Sequence, residues 1–249
     1  MKFLLKPVLA LLLLAVAPIS ILHADDAADI KALKAILPEH LPNPSEAKVK
    51  ATPIKGLFEV MSGSQIMYMT KDARYIIDGD IYDMSVRKNL TEDARGGIRL
   101  NMLDKLGEEN MLVYMPKGPV KHTITVFTDI YCPYCQRLHQ EMGDYMEKGV
   151  KVRYIFVPFK GPKSVEASVS VWCSKDRNKA MDEAKSGGSV EKKSCDNPIS
   201  KHQALATQLG IRGTPAIMLE TGQLLPGYVP SAKLLEQLNA NAESLTSRK

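Results

Sequence analysis

Two cysteines, Cys132 and Cys135, bracket a proline and a tyrosine in the stretch TVFTDIYCPYCQRL. They close an apolar run rich in β-branched residues, the pattern of a buried strand. Pro133 stands where a first helical residue tolerates proline, so Cys132 is predicted at the N-terminus of a helix. Unpaired backbone N–H groups and the positive end of the peptide dipoles gather there and stabilise a thiolate. The thiolate is the attacking form, so Cys132 is expected to be exposed and reactive near neutral pH. Cys135, one turn further in, is expected to be more buried and protonated until it attacks a mixed disulfide on Cys132. Two other chemistries compete. A zinc centre would need distant cysteines or His122, His139 or His202, since no second CxxC and no His pair at ligand spacing is present; the reading is no metal and no cofactor. An inert staple is a poor fit, because so small a loop removes little unfolded-state entropy.

The other two cysteines are Cys173 and Cys195. A bond between them would close a loop of about 23 residues, worth roughly 3 kcal/mol in the chain-entropy account. It would pin the polar segment SKDRNKAMDEAKSGGSVEKKS, which holds a short amphipathic helix. A second, shuttling redox pair is the alternative. Further on, Gly213-Thr214-Pro215 precedes the apolar run AIML, and a proline at a strand's start often marks a cis bond.

The elements that must position these residues follow from the rest of the chain. Lys2 and Lys6, the apolar run Leu9 to Ala17 and a small residue at Ala24 read as a secretory leader over residues 1–24, which makes the chain an exported one. An even cysteine count in such a chain favours disulfides. About 225 of the 249 residues follow, enough for one large domain or two modest ones, and the net charge of +5 falls to about +3 without the leader's lysines. That is too mild and dispersed for nucleic acid. Residues 25–86 read as an N-terminal domain: a helix with Ile30, Leu33, Ile36 and Leu37 on one face, stopped by Pro38, then a proline-rich loop, LPNPSEAKVKATP. A small antiparallel sheet over roughly residues 55 to 84 completes it, with turns at Ser62-Gly63, Lys71-Asp72 and Asp78-Gly79. So small a sheet buries little by itself and needs either the second half or a copy of itself.

Residues 87–109 read as a linker helix with Thr91 as its N-cap, loosened by Gly96-Gly97 and firmly helical only from about Ile98. Residues 110–249 alternate strand and helix: NMLVYM and KHTITVFTDI as strands, the CPYC helix, the strand VKVRYIFVPF, helices near Val165 to Trp172 and Lys201 to Leu209, a hairpin from PAIML to QLLPGYV, and a last helix. This is α/β layering.

With a CxxC heading a helix and a Thr-Pro heading a strand, the sequence resembles thioredoxin-fold disulfide oxidoreductases. It is more narrowly similar to the periplasmic disulfide isomerase family of DsbC and DsbG over essentially the whole chain beyond the leader. The stretches TVFTDIYCPYC, WCSKDRNKA, SCDNPI, GTPAIML, LLPGYVP and YIIDGDIYDM carry that likeness. The resemblance implies a thioredoxin-like C-terminal domain joined by a linker helix to a small α+β, cystatin-like N-terminal dimerisation domain. It implies Cys132 as nucleophile and Cys135 as resolving thiol, with Pro215 cis and Thr214, Pro215 and Tyr134 against the substrate strand. Cys173–Cys195 would be a structural bridge, and Gly79 would lie in the dimer interface. The implied partners are misfolded disulfide-containing exported proteins, a DsbD-like membrane thiol reductant and a second copy of the chain, all in the periplasm. Family isomerases usually carry glycine at the place of Pro133, so a dimeric disulfide donor is the alternative, and a holdase chaperone with incidental cysteines a third.

Overall fold

The computed structural model describes residues 24–41 and 47–246; the predicted leader lies outside them except for Ala24. Helix α1, Ala24–Ile36, runs into a single 3-10 turn, Leu37–Glu39, around Pro38. Leu33 and Leu37 point inward and are fully buried. They meet Val49, Phe58, Val60 and Met69 on one face of a four-stranded antiparallel sheet. Its strands are β1 (Lys48–Ala51), β2 (Leu57–Ser62), β3 (Gln65–Thr70) and β4 (Ile76–Ile77), in sequence order across the sheet. The side-chain period of two sends Met61, Ile66 and Tyr68 to the opposite face. The β2–β3 turn places Gly63 at a φ of 60°, a conformation open to glycine at little cost. A two-strand ribbon, β5 (Tyr82–Asp83) with β6 (Lys88–Asn89), leads out of the sheet. The sheet thus starts earlier than expected: Lys48–Ala51, read from sequence as loop, pairs along β2 from Lys48↔Met61 to Ala51↔Phe58.

Helix α2, Leu90–Leu106, differs from expectation twice. Its cap is Asn89, whose side chain accepts the Glu92 N–H at 2.9 Å. Thr91 sits one step inside, fully buried, where its hydroxyl partners the Tyr68 hydroxyl and accepts the Ile81 N–H. The helix is also unbroken through Gly96-Gly97. A Cβ on Gly96 would stand 2.5 Å from the Thr221 carbonyl oxygen, so the missing side chain is what lets the helix lie flush on a distant turn. Gly222 in that turn has a φ of 78° and abuts Gly96 in return. Arg99 donates to the Gly222 carbonyl at 3.1 Å and pairs with Glu92, fastening the same contact. Tertiary packing therefore outweighs the roughly 1 kcal/mol that glycine costs a helix interior. The two ends of α2 serve different cores: Ala94 and Ile98 pack beside the N-terminal sheet, Leu103 beside the second.

The second sheet has five strands in the order β11-β10-β8-β9-β7. They are β7 (Leu112–Tyr114), β8 (His122–Thr128), β9 (Val150–Phe156), β10 (Ala216–Met218) and β11 (Leu224–Pro226). Only β8 and β9 run parallel; the other neighbours are antiparallel. Six helices complete the unit: α3 (Pro133–Gln140), α4 (Met142–Glu147), α5 (Pro162–Trp172), α6 (Arg177–Lys185), α7 (Ile199–Gln208) and α8 (Ser231–Thr246). Strand β8 is buried on both faces, as its near-continuous apolar run requires. Ile124 and Val126 join the core beneath Leu138, Val171, Met181 and Leu234. Phe127 joins the core that α2 and α7 close with Leu103 and Leu205.

Candidate active site

Strand β8 ends at Thr128, and the chain turns through Asp129 into α3. Asp129 is fully buried and shapes this turn. One carboxylate oxygen accepts the Tyr131 N–H at 2.8 Å and the Ser164 hydroxyl at 2.7 Å; the other accepts the Lys160 N–H at 2.8 Å. Its main-chain oxygen accepts the Cys132 N–H at 3.2 Å. Cys132 is the N-cap residue of α3, with Pro133 opening the helix as predicted. From the facing side comes the loop before β10, in which the Thr214-Pro215 peptide bond is cis. The Cys132 thiol donates to the Thr214 carbonyl at 3.1 Å. The structure therefore brings Cys132, Cys135, Thr214 and Pro215 together, with Tyr134 between the thiols and 61% exposed.

The exposure expected of Cys132 needs correction. Cys132 keeps only 5% of its surface, against 1% for Cys135, because the Thr214–Pro215 loop lies across it. The two thiols differ in electrostatics more than in access. Burial works against ionisation of Cys132, but the Cys135 amide, the Thr214 and Cys135 side chains and the Tyr134 amide outweigh it, leaving the thiol below its ordinary range. No side-chain capping bond closes at Cys132; the amides act as oriented dipoles at a helix start. Burial dominates at Cys135 and pushes its thiol up, against the opposing pull of Lys185 and the Thr128 side chain. The two thiols are thus displaced in opposite directions, Cys132 toward easier ionisation and Cys135 away from it.

Sequence reasoning missed the network beneath the pair. His139, in the last turn of α3, shares hydrogen bonds with the Tyr154 hydroxyl at 3.1 Å and Asp182 of α6 at 3.0 Å. Burial depresses its pKa, so it is held neutral. Tyr114 of β7 donates to the same Asp182 carboxylate, tying three elements together. Lys185, also on α6, is 2% exposed. Its signal was in the sequence: helical spacing puts Lys185 on the face of Met181 and Ala184, both buried.

Cys173 and Cys195 are joined by a disulfide, with Cα atoms 5.7 Å apart, tethering the segment that contains α6. Gly79 lies elsewhere, in the turn that follows β4, with open space around it. Among the described residues no three His, Cys, Asp or Glu side chains converge into a set that could hold a metal ion, and no helix is long and apolar enough to cross a membrane.

A thiol pair at the start of a helix, facing a cis-proline loop on a mixed five-stranded sheet, defines a thioredoxin-fold thiol–disulfide oxidoreductase. Two family models agree: a thioredoxin-like domain over residues 111–242 and a disulfide bond isomerase protein N-terminal domain over residues 22–92. The thiol:disulfide interchange protein DsbC of Salmonella typhimurium is 41% identical over 219 residues, 87% of this chain and 88% of its own. That of Dickeya dadantii is 38% identical over 245 residues, 97% and 98% of the two chains. A disulfide interchange protein from Neisseria gonorrhoeae superposes with a TM-score of 0.50 at 29% identity, covering 54% of this chain and 97% of its own. The chain belongs to the DsbC family of thiol:disulfide interchange proteins and is a disulfide isomerase. The disulfide-donor alternative drawn from Pro133 is not favoured by these relatives.

Proposed function

We propose that isomerisation in this protein is carried by Cys132 as nucleophile and Cys135 as resolving thiol, on substrates laid along the Thr214–Pro215 loop. The observation that carries the reading is the placement of the two thiols: Cys132 caps α3 and meets the Thr214 carbonyl of the cis-proline loop at 3.1 Å, while Cys135 lies one turn inside the helix and is 1% exposed. The Cys132 thiolate attacks a wrong disulfide and leaves one substrate sulfur as thiolate. Either a second substrate thiol then attacks the mixed disulfide, for net isomerisation, or Cys135 does, for net reduction. Substrate backbone would pair with the Thr214 edge, giving affinity without sequence preference, and the exposed Tyr134 would pack on it. The Cys173–Cys195 bridge has a structural role, tying the end of α5 to the chain beyond α6 and so closing the segment that carries α6.

The remaining assignments extend this reading. Residues 25–86 form the dimerisation domain, 87–109 the linker helix and 110–249 the catalytic domain. Strand β4 is one of the sheet's two outer strands, and among the described residues nothing pairs with its far edge. Tyr75, Ile76, Ile77, Tyr82, Met84 and Val86 around it are all more than half exposed. An apolar patch on an open edge is an aggregation hazard unless covered, and a second copy covers it with Gly79 in the interface. The protein works in the periplasm after removal of residues 1–24, on misfolded exported proteins. Because a substrate is attacked only by reduced Cys132, a membrane thiol reductant of the DsbD type keeps the pair reduced.

Acid quenching and alkylation of whole cells tests the reading. Cys132 and Cys135 are expected mostly alkylated, hence reduced, in growing cells; a mostly oxidised pair would support the disulfide donor instead.

A further inference from the structure

The Lys185 amine is buried, and among the described residues no carboxylate accepts a hydrogen bond from it. Its Nζ donates to the Thr128 hydroxyl at 2.8 Å and the Asp129 carbonyl at 2.7 Å, both at the end of β8 directly beneath the thiols. A long, charged side chain is almost never buried without a compensating role or partner. The Thr128 side chain and the Lys185 charge both ease ionisation of the Cys135 thiol, and Thr128 itself holds the amine, so hydroxyl and amine stand together beside that sulfur. A hydroxyl carries one donor hydrogen and two acceptor sites. It can accept from an ammonium while donating to a thiolate, or accept from a thiol while donating to a neutral amine. The two arrangements differ by one proton moved between Cys135 and Lys185.

We propose that Lys185 is a positioning residue for the resolving step, drawing the Cys135 proton through Thr128 and holding the resulting thiolate in place. The proposal rests on the reading that Cys132 attacks and Cys135 resolves. In the mixed disulfide the Cys135 proton passes to Thr128 Oγ1 as the Thr128 proton passes to neutral Lys185. The Cys135 thiolate attacks Cys132 Sγ and forms the Cys132–Cys135 disulfide. The bond from Cys132 to the substrate sulfur breaks, and that sulfur leaves with the electron pair. The two cysteines end oxidised to one disulfide, the substrate disulfide ends reduced to two thiols, and the proton on Lys185 passes to the leaving thiolate through solvent.

The amine suits this exchange. Burial lowers its pKa to about 8, while Cys135, Asp129 and Cys132 pull it upward. Once Cys132 is tied up in a mixed disulfide its charge is gone and one of those upward pulls is lost, so a larger share of Lys185 is neutral and open to the Cys135 proton at the moment Cys135 must ionise. The groups facing Lys185 are Cys132, Cys135 and His139 from the thiol helix and Asp129 from the β8 turn. Tyr154 of β9 and Asp182 of its own helix stand behind His139.

The two steps separate in a single-turnover reaction of the full-length reduced protein with excess dithiobis(nitrobenzoate). Attack by Cys132 releases a first coloured thiolate, and resolution by Cys135 a second. Lys185→Met keeps length and removes the charge. It is expected to slow the second release about tenfold at pH 7 and move its pH profile upward, since the lost thiolate is only partly offset by greater nucleophilicity. The first release should change less than about threefold, because the amides at the helix start dominate Cys132. Thr128→Val breaks the chain without touching the lysine, should shift the second step in the same direction, and serves if Lys185→Met does not fold. Second-step profiles that superpose on wild type in either folded variant would overturn the proposal. Absence of a first release from the wild type would instead overturn the assignment of Cys132 as attacker.

Discussion

Cys132→Ser is expected to lower the recovery of activity from a scrambled disulfide protein by at least about a thousandfold, because a hydroxyl near neutral pH offers almost no alkoxide. The folded structure should survive, since serine is close in size and caps a helix better than cysteine. Cys135→Ser should behave differently. Substrate thiols can still resolve the mixed disulfide, so isomerisation is partly kept, while protein–substrate adducts accumulate on a non-reducing gel. Were the protein a holdase with incidental cysteines, both variants would match the wild type in this assay. The contrast between the two follows from the structure's asymmetry: ionisation is eased for the sulfur at the helix start and opposed by burial for the one a turn inward.

Ile77→Lys should convert the dimer to monomer at micromolar concentration, read by analytical ultracentrifugation. Ile77 is half exposed on the free edge of β4, beside Tyr75 and Ile76. In a two-fold interface every substitution is present twice, so one change desolvates two charges. A dissociation constant weakened about a hundredfold or more corresponds to roughly 3 kcal/mol, within reach of two buried lysines. Reaction of Cys132 with a small disulfide should stay unchanged, while isomerase activity on a large scrambled protein falls, because only a large substrate can engage both copies of a dimer at once. A variant still dimeric and fully active would place the interface elsewhere.

The catalytic half was the more legible part of the sequence, because a CxxC at a strand-to-helix junction and a Thr-Pro at a strand start are local patterns. What the sequence concealed was set by tertiary contact. Strand β1 has four residues of which only Val49 is buried, so it carries almost no periodicity, and its identity comes from pairing with β2. Gly96-Gly97 read as a weak point, yet Gly96 is where α2 meets Thr221 and Gly222, a contact that no local rule anticipates. Thr91 looked like a cap, and the hydroxyl went instead to Tyr68 and Ile81, leaving Asn89 to cap. The break between α3 and α4 falls at Glu141, whose carboxylate is taken by the Tyr228 hydroxyl and the Ser231 N–H. Lys185 was half legible: helical spacing puts it on the buried face of α6, but the acceptors that let it stay there come from the end of a distant strand. The low exposure of Cys132 follows from the approach of the Thr214 loop, and separation in sequence gives no measure of that distance.

The central claim is that backbone amides and neighbouring side chains ionise the Cys132 sulfur despite its burial. Ultraviolet absorbance of the thiolate, titrated in the Cys135→Ser variant so that one sulfur is observed, measures this directly. The account predicts a midpoint clearly below the ordinary thiol value of about 8.5, with isomerase activity falling as pH drops through that midpoint. A midpoint at or above the ordinary value would show that burial wins over the helix start, and would contradict the account.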